Sequence, residues 1–483
     1  MDKRAALAMI ASLFASAAAQ AEVSINNHQT KNMVCSDGVC SPTAKGAYLN
    51  VKDLENLLKS SDVKVTTGAG AVTLGVDVPL TWTSNHRLTL DAIYRVAIKA
   101  PVTVAGKGAL SIVYNDGGTD GDLLFFNGAK IDFWDLGSKV TVNGQSYELL
   151  ADLPTLIQRI GNNASGAYAL ARDYDASQDG VYTDSPITAE FEGNFEGFGH
   201  RISNLSVKHS GRSLDTGFFY RIGENATVRD FGIADSSIDG GRRRNEAVGG
   251  LTGINRGTIA GVFTSGIVKS SALRAVVGGL AGINSGTVLH SHSDSAVSCG
   301  AELSDCGGLV GWAGGLVQQS FATGPVHCAD RCFAGGLVGE EGDYILHQNK
   351  GVVVQSYATG AVTGSGGGSD VGGFAGLASD YTASETYATG AVGSGTYVGG
   401  WVGDDYHNGK RGNRTADYWD LDTSGIGDPS QGAGNVKNDK GVTGLTDAEL
   451  KGALPDGFDP DVWRQSPDIN NGYPYLIANP PPK

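Results

Sequence analysis

Two acidic pairs are the clearest candidates for chemistry in this chain. Glu340-Glu341 and Asp404-Asp405 each follow a glycine-rich segment, and the two segments belong to a series of repeats. If the repeats stack as β-strands, the pairs lie two strands apart, about 9.6 Å. Inverting glycosidases hold two carboxylates about 6.5 to 9.5 Å apart. The spacing therefore suggests polysaccharide cleavage on an acidic face, although solvated loops are the simpler interpretation because acids are mostly exposed.

Two short loops carry oxygen-bearing side chains at alternate positions, as calcium loops do. The first contains Asp420, Asp422 and Ser424, and the second contains Asp175, Ser177 and Asp179. Pro186 and Gln431 stand where a calcium loop has its bidentate Glu. We therefore favour ordinary turns at both places and expect no cofactor, with calcium as the alternative.

Motifs of other enzyme classes are absent from the sequence. There is no His-Glu-x-x-His, Gly-x-Ser-x-Gly, Walker or Gly-x-Gly-x-x-Gly segment. The 51 acidic residues outnumber the 36 basic ones and give a net charge of −15. This charge disfavours a nucleic-acid partner, since phosphates need a cationic face.

One glycine-rich segment, here called the anchor, recurs six times. Each anchor reads Gly-Gly, a large apolar residue, one further residue and Gly, and the copies begin at Gly249, Gly278, Gly307, Gly335, Gly372 and Gly399. Most copies are 27 to 29 residues apart, and 37 residues separate the fourth from the fifth. A period near 28 without helical spacing predicts one coil of a parallel β-helix per repeat.

The third residue of each anchor is expected to point inward and to form a ladder along the core. Its members are Leu251, Leu280, Leu309, Leu337, Phe374 and Trp401. Each such burial contributes about 1.5 to 3 kcal/mol. The anchor glycines are expected at corners, where positive φ and a missing side chain are both useful.

A second repeated column is aromatic and consists of Phe263, His292, Phe321, Tyr357 and Tyr387. Pointing outward, its ring faces would suit stacking on sugars or partner surfaces. Pointing inward, it would be core, which we favour because large apolar side chains are usually buried.

The anchors, with Ser-Tyr-Ala-Thr-Gly at 356–360 and Tyr-Ala-Thr-Gly at 387–390, resemble the GLUG motif of bacterial surface and secreted proteins. The resemblance covers about residues 147–476. The alternation in Leu88–Ala92 and Val102–Val104 is similar to the shaft of filamentous-haemagglutinin-type adhesins. These resemblances imply an all-β, right-handed parallel β-helix, a solenoid, with a role in adhesion or surface interaction and no established catalytic residues.

The N-terminus has the pattern of a signal peptide. Lys3 and Arg4 precede an apolar run, and Ala19-Gln20-Ala21 fits signal peptidase. We expect cleavage after Ala21 and a secreted, cell-surface or periplasmic protein, with no membrane-spanning segment in the remaining chain.

Six cysteines in an exported chain predict disulfides. Cys35 and Cys40 form a local pair. The other four, Cys299, Cys306, Cys328 and Cys332, allow three pairings. Cys299 and Cys328 hold the same repeat position and would be within reach if stacked, while closure within each loop is equally allowed.

The chain divides into six predicted segments. They are a signal peptide 1–21, an N-terminal tail 22–45, a β-helix-like region 46–145, lead-in coils 146–216, the repeat β-helix 217–416 and a C-terminal cap 417–483. Apolar stripes predict short capping helices over 51–59 and near 153–160. Trp463 and Tyr473 are expected to pack in the irregular cap.

The leading hypothesis is a non-enzymatic exported β-helix that binds a host, matrix or cell-surface protein or glycan. The alternative is a polysaccharide-acting enzyme, a hydrolase or lyase, that uses the acidic face.

Overall fold

The structure is a computed structural model, and it describes residues 22–68, 71–116, 121–211, 213–342, 350–365, 367–379, 381–406 and 413–482. Within these ranges the chain is nearly all β, and most strands pair in parallel with strands of the coils before and after them. The prediction of a parallel β-solenoid is confirmed. The expected signal peptide lies outside the described residues. Among the described residues, no helix is long and apolar enough to cross a membrane.

The first stack of coils surrounds its own apolar lumen. Its five-stranded sheet contains, in spatial order, Ala47–Asn50, Glu22–Asn26, Thr73–Val76, Arg95–Ile98 and Leu123–Phe125. Its three-stranded sheet contains Leu80–Trp82, Val102–Val104 and Ile131–Phe133. Its remaining strands are Met33–Ser36, Val39–Pro42, Val63–Thr66, Arg87–Asp91, Ala109–Val113 and Val140–Val142. Alternate residues of these strands are buried, so every second side chain enters the lumen.

The second stack carries the repeats. Its seven-stranded sheet contains Asp215–Thr216, Ala247–Gly249, Val276–Gly278, Asp305–Gly307, Phe333–Gly335, Asp370–Gly372 and Tyr397–Gly399. Its eight-stranded sheet contains Ile187–Phe191, Phe219–Ile222, Thr252–Asn255, Ala281–Asn284, Val310–Ala313, Val338–Glu341, Ala375–Ala378 and Val402–Asp405.

The third side of the second stack is here called the lateral sheet. Its strands are Gln145–Leu150, Ala167–Leu170, Tyr174–Asp175, Val181–Tyr182, Asn194–Glu196, Arg201–Ser203, Ser206–Lys208, Thr227–Arg229, Gly232–Asp239, Thr258–Ala260, Phe263–Ser270, Thr287–Leu289, His292–Ser293, Ala296–Cys299, Leu316–Gln318, Phe321–Ala322, Val326–Cys328, Val352–Ala358, Val362–Gly364, Thr382–Ala388, Asn413–Asp420 and Val442–Leu445. A separate two-stranded sheet pairs Trp463–Arg464 with Tyr475–Leu476.

The anchors stack in register, as predicted. Gly249, Gly278, Gly307, Gly335, Gly372 and Gly399 are successive partners in the seven-stranded sheet. The ladder residues that follow, Leu251, Leu280, Leu309, Leu337, Phe374 and Trp401, are all fully buried. Phe374 and Trp401 stack with ring centroids 4.8 Å apart. The repeats therefore share one continuous apolar column.

None of the anchor glycines has positive φ, so that part of the expectation is wrong. The anchors need glycine because a side chain there would collide with neighbouring atoms. A Cβ on Gly308 or Gly336 would lie 2.9 Å from the Cβ of Ala322 or Ala358 across the lumen. The left-handed corner falls on Gly261 in one coil and on non-glycine residues in the four coils that follow, His290, Gln319, Gln355 and Glu385, with φ between 45° and 53° for these four.

Both predicted helices are present, and a third one is new. The first, Val51–Leu58, buries Leu54 and Leu58 and follows the edge strand of the five-stranded sheet. The second, Leu153–Asn162, buries Leu153, Leu156 and Ile160. Asn50 and Asp152 cap their N-termini through side-chain oxygens. The third helix, Asp447–Gly452, begins with a capping box of Thr446 and Glu449. Single 3-10 turns occupy Ala176–Gln178 and Asn470–Gly472.

The N-terminal segment 22–45 is not a tail. Glu22–Asn26 lies between two parallel partners, Ala47–Asn50 and Thr73–Val76, because its apolar side chains Val23 and Ile25 complete the lumen. The two stacks meet at an antiparallel hairpin between Val140–Val142 and Gln145–Leu150, next to the boundary expected at residue 145.

The C-terminal residues divide between the end of the solenoid and its side. Gly432 accepts hydrogen bonds from the backbone of Trp401 and Val402, at 2.9 and 3.0 Å, and covers the last anchor. Trp463 and Tyr473 pack instead on the outer face of the lateral sheet. The predicted cap 417–483 is therefore an end cover followed by a segment that returns along the side.

All six cysteines form disulfides, and each disulfide closes a local loop. The pairs are Cys35–Cys40, Cys299–Cys306 and Cys328–Cys332. Cys299 and Cys328 are register partners but do not bond to each other. Disulfides are compatible with an extracellular protein.

Candidate functional site

The aromatic column lies on the outer face of the lateral sheet. Its members are register partners in successive coils. The residues that follow them, such as Ala322 and Ala358, face the anchor glycines in the lumen. Since neighbouring side chains of a strand point to opposite faces, the column points outward, and the favoured expectation of an inward column is wrong.

The rings of this column stack on one another. Centroid separations are 5.6 Å for Phe263 and His292, 4.6 Å for His292 and Phe321, 4.6 Å for Phe321 and Tyr357, and 5.0 Å for Tyr357 and Tyr387. The planes are within 12° of parallel. The outer face of Phe263 lies over Gly232, where a Cβ would collide with the ring. Ring faces are thus occupied, and a sugar could meet only ring edges.

The C-terminal segment 463–482 covers most of this outer ladder. Phe321, Tyr357 and Tyr387 are fully buried beneath it. Trp463 lies 6.1 Å from Tyr357 and 5.9 Å from Tyr387, centroid to centroid. The Tyr387 hydroxyl donates to the carbonyl of Pro474 at 2.6 Å. The burial of these rings therefore depends on residues distant in sequence.

Asn479 fixes the end of the C-terminal segment to the ladder. Its amide donates to the carbonyls of Ser291 and Gln319, both at 3.2 Å. Its Oδ1 lies 3.2 Å from Nδ1 of His292. Burial lowers the pKa of the His292 imidazole. The neutral ring suits its place between two aromatic neighbours.

Beyond Asn479 the ladder opens into a groove of about 860 Å³, here called the lateral groove. One wall is the loop 124–129 of the first stack, and the other is the end of the C-terminal segment, 477–482. Phe263 and His292 are partly exposed within it. Its charged and polar lining includes Arg201, Asp230, Asp235, Ser265, His290 and Asp294, with Arg464 and Asp468 from the C-terminal residues. The groove thus combines ring edges with carboxylates on a rigid sheet.

An ion-pair cluster around Arg229 joins the two stacks beside the groove. The guanidinium pairs with Asp122 of the first stack and with Asp230, the latter at 2.9 Å. It also lies 5.3 Å from the ring centroid of Tyr114. Burial would raise the pKa of Asp122, but Arg229 and His290 outweigh it and hold that pKa at about 2.

Glu196 and Asp230 are buried carboxyl groups within this cluster. Burial raises the pKa of Asp230 to about 6, against the opposing charge of Arg229. Burial and the neighbouring Asp230 raise the pKa of Glu196 well above its usual range. Because Asp230 lines the groove, a carboxyl group able to exchange a proton near neutral pH lies at its wall.

The left-handed corners form a polar ladder parallel to the rings. His290 Nε2 lies 3.1 Å from Oε1 of Gln319, and the Gln319 and Gln355 amides donate to the next coil at 3.2 Å. Glu385 ends the series by accepting the indole N–H of Trp463 at 3.1 Å. This ladder ties the C-terminal segment to the same edge that borders the groove.

The structure places the two predicted acidic pairs in the expected register but not on an open face. Glu340 and Asp404 flank Leu377, and Glu341 and Asp405 flank Ala378, so each pair is two coils apart. Glu341 and Asp405 are 0% exposed and Glu340 is 6% exposed. The prediction of an accessible acidic face is therefore wrong for these three. Glu341 and Asp405 share the column that points into the lumen, and Glu340, on the opposite side of its strand, is buried as well.

Asp405 has a buried cationic partner that the sequence pattern did not indicate. The Arg414 guanidinium pairs with Asp405 and with Asp439, and its distance to Oδ1 of Asp439 is 2.8 Å. Arg414 also lies over the ring of Tyr381, 5.6 Å from its centroid. Burial raises the pKa of Asp404 on the other side of the strand, and the charge of Asp405 adds to this shift.

The two calcium candidates use their carboxylates in turns. Asp420 accepts backbone hydrogen bonds from Asp422 and Thr423 at 2.8 and 3.1 Å. Asp175 accepts from the backbone of Ser177 at 3.0 Å. Asp179 accepts from the hydroxyl of Tyr174 at 2.6 Å, and Ser424 caps the backbone of Ile426. In the described part of the chain, no three His, Cys, Asp or Glu side chains are placed to hold a metal ion.

Sequence reasoning did not find the residues that build the groove. Arg229 and Asp122 are 107 residues apart, and Asn479 and His292 are 187 apart. The available signal was the alternation of the lateral strands, which puts the aromatic column opposite the small inward residues.

Comparisons with known proteins find limited similarity. No protein-family model matches this chain. Over 246 residues, 48% of its length, the chain is 29% identical to halomucin of Haloquadratum walsbyi, and it spans 2% of that protein. A solved structure described as a "putative immunoglobulin A1 protease" from Bacteroides ovatus aligns with 69% of this chain and 92% of that chain, with a TM-score of 0.44 and 20% identity. The fold assignment rests on the strand register and not on these similarities.

Proposed function

We propose that this chain is an exported, non-enzymatic β-solenoid that mediates adhesion or surface interaction through the lateral groove. The observation that carries the proposal is the open end of the outer ladder, where Phe263 and His292 meet carboxylates within a concave site of about 860 Å³. Binding sites combine apolar lining with a few placed polar groups in this way. The resemblance to GLUG-motif proteins and the signal-peptide pattern support the same role.

The lining favours an uncharged glycan as the ligand. Asp235 and Asp294 offer carboxylate oxygens that accept hydrogen bonds from sugar hydroxyls, and ring edges of Phe125 and Phe263 offer apolar surface. Phosphate-bearing ligands are disfavoured because the four acids that line the groove, Asp230, Asp235, Asp294 and Asp468, outnumber its two arginines, Arg201 and Arg464, and because the net charge is −15. A host, matrix or cell-surface protein is the other class of partner.

A glycan array probed with the full mature chain tests the proposal. We expect binding to a defined set of glycans, and Asp294→Asn should weaken it at least about tenfold, as loss of a charged hydrogen-bond acceptor does. Asp428→Asn, an exposed acid at the far end of the solenoid, is the matched control and should bind normally. Binding that ignores Asp294→Asn, or that occurs only to proteins, would contradict the glycan groove.

Polysaccharide cleavage is the second candidate, and the Glu196–Asp230 pair favours it. A carboxyl group with a pKa of about 6 can act as a general acid near neutral pH. A reducing-sugar release assay separates the two functions. Binding without turnover supports adhesion, whereas turnover lost in Asp230→Asn supports cleavage. Loss of turnover in Glu340→Gln or Asp405→Asn instead would return the activity to the acidic pairs.

Export is tested by cell fractionation and surface proteolysis. We expect the chain outside the cytoplasm and without residues 1–21 at its N-terminus. Recovery of the uncleaved chain in the cytoplasm would contradict the proposal.

A further inference from the structure

A second corner of the repeat coils, between the lateral sheet and the seven-stranded sheet, carries exposed arginine and leucine side chains. We call this edge the arginine ridge. It consists of Leu214, the three arginines 242–244, Leu273, Arg274 and Leu303, which lie on successive coils. The backbone stacks these coils directly, since Asn245 donates to the carbonyl of Leu273 and Arg274 donates to that of Glu302, both at 3.1 Å. Arg244 therefore lies beside Leu273, and Arg274 lies beside Leu303, about 4.8 Å apart along the stack.

The leucines of the ridge are exposed, although the anchor leucines of the same coils are buried. Leu214, Leu273 and Leu303 are 41%, 37% and 42% exposed. In the described part of the chain only one other leucine, Leu136 in the first stack, is comparably exposed, at 45%. Apolar residues exposed singly need no explanation, whereas a group of them marks an interaction site. The three leucines on this one edge are such a group.

Two residues of the ridge hold a backbone conformation that large side chains rarely adopt. Arg274 and Leu303 have φ of 59° and 61°, in the left-handed region. The equivalent residue of a later coil is Gly368, with φ of 88°, and glycine takes this conformation without steric cost. The ridge therefore keeps large side chains at corners where glycine would be less strained. Residues held in this way concentrate at functional sites.

The arginines at the centre of the ridge have no acidic partners. Arg242, Arg243, Arg244 and Arg274 are exposed, and within the described residues no carboxylate lies within ion-pair distance of their guanidinium groups. The acid that follows them, Glu246, is 1% exposed and accepts the backbone N–H of Arg243 at 3.2 Å. The four guanidinium groups are therefore available to a ligand.

The acids around the ridge have cations of their own. Asp239 pairs with Lys269 at 3.5 Å, and Glu302 pairs with Arg331 at 3.6 Å. Asp330 is exposed and adjoins Arg331 in the sequence. The centre of the ridge is thus cationic on a chain whose net charge is −15. Since charges more than about 8 Å away are largely screened at physiological ionic strength, a ligand at the ridge interacts chiefly with the arginines.

The combination of arginine and leucine identifies the chemistry of the partner. Guanidinium groups bind phosphate oxygens through paired hydrogen bonds, and leucine side chains gain free energy on leaving water. A lipid bilayer with anionic headgroups offers both interactions at once, because phosphates lie at its surface and acyl chains begin just beneath them. A soluble polyanion would use the arginines and leave the leucines in water.

We propose that the arginine ridge docks this chain onto the surface of a lipid bilayer that bears anionic headgroups. Leu273 and Leu303 would enter the boundary between headgroups and acyl chains, and the neighbouring arginines would bind the phosphates. The lateral strand Phe263–Ser270 has groove residues at its start, and the ridge follows its end. The membrane surface and the lateral groove are therefore separate sites.

Co-sedimentation of the full mature chain with vesicles tests the proposal. We expect binding to vesicles of phosphatidylcholine mixed with phosphatidylglycerol, and binding at least about tenfold weaker to vesicles of phosphatidylcholine alone. Arg242→Ser with Arg244→Ser should weaken binding at least about tenfold, since each arginine near an anionic surface strengthens binding about fivefold. Leu273→Ser with Leu303→Ser should also weaken it at least about tenfold, because their apolar surface then stays in water.

Arg172→Ser with Leu136→Ser is the matched control, because both residues are exposed and lie off the ridge. This variant should bind the mixed vesicles as the unmodified chain does. Circular dichroism should show the same fold for every variant, since all substituted side chains are exposed. Absence of sedimentation with either kind of vesicle would overturn the proposal. Binding that survives the two leucine substitutions and is abolished by soluble dextran sulfate would also overturn it and make the ridge a site for soluble polyanions.

Discussion

Two ladders run along the repeat stack, one inside the lumen and one outside the lateral sheet. Both arise from the same register, which places equivalent residues of each coil on top of one another. They differ in what covers them. The inner ladder is enclosed by its own repeats, whereas the outer ladder is covered by the C-terminal segment and stays open at Phe263 and His292. Register therefore creates both columns, and distant chain segments decide which surface remains available.

The inner ladder should contribute most to stability. Leu309→Ala should lower the free energy of unfolding by about 2 to 5 kcal/mol, since a buried leucine leaves a cavity. Chemical denaturation followed by circular dichroism measures the change. Ile267→Ala, on the outer face and 49% exposed, is the control and should cost under about 0.5 kcal/mol. Equal effects of the two substitutions would remove the distinction between lumen and surface.

Close packing across the lumen is tested at an anchor glycine. Gly336→Val should destabilise the protein by about 1 to 3 kcal/mol, because its Cβ would lie 2.2 Å from the backbone carbonyl oxygen of Gly373 in the next coil and 2.9 Å from the Cβ of Ala358. Gly367→Val is the matched control, since no atom lies within 4 Å of a Cβ at that position. A tolerated Gly336→Val variant would show that the coils are not packed as closely as described.

Burial outside the lumen is tested by the pH dependence of stability. Burial, aided by the charge of Asp404, raises the pKa of Asp370 to about 7. The unfolded chain loses this proton near pH 4, so stability should fall as pH rises from about 4 to 7, by at most about 1.4 kcal/mol per pH unit. Asp370→Asn should flatten this part of the profile in thermal unfolding. An unchanged slope would mean that Asp370 ionises freely.

The cover of the outer ladder is tested at Asn479. Asn479→Ala removes contacts with His292, Ser291 and Gln319 and should cost about 1 kcal/mol locally. We expect faster hydrogen exchange in residues 475–482 and an unchanged exchange rate in the anchors. Uniform destabilisation of the chain would contradict a separable cover.

The sequence predicts the inner ladder well because each repeat carries its own copy of the signal. The anchors at Gly249 to Gly399 show the period directly, and the alternation of Val102-Thr103-Val104 shows the strand faces. The helix over Val51–Leu58 follows equally from a local apolar stripe. Local and repeated information is sufficient for these elements.

The groove and the burial of Glu341 depend on contacts that no local pattern contains. Whether the aromatic column is core or surface depends on residues 463–482 returning along the side, and whether Glu341 is solvated depends on the coils stacked around it. The Arg229–Asp122 pair joins residues of different stacks. Such pairings are decided by tertiary packing, and the charge and spacing of residues along the sequence do not predict them.

The register of the coils is tested most directly by cysteine cross-linking across the lateral sheet. All native cysteines are paired, so two introduced thiols would be the only free ones. Lys269 and Ser298 are register partners on the outer face. Lys269→Cys with Ser298→Cys should form a disulfide on oxidation, whereas Lys269→Cys with Ala296→Cys, two residues out of register, should not. Cross-linking of the second pair in preference to the first would contradict the stacked coils on which both ladders depend.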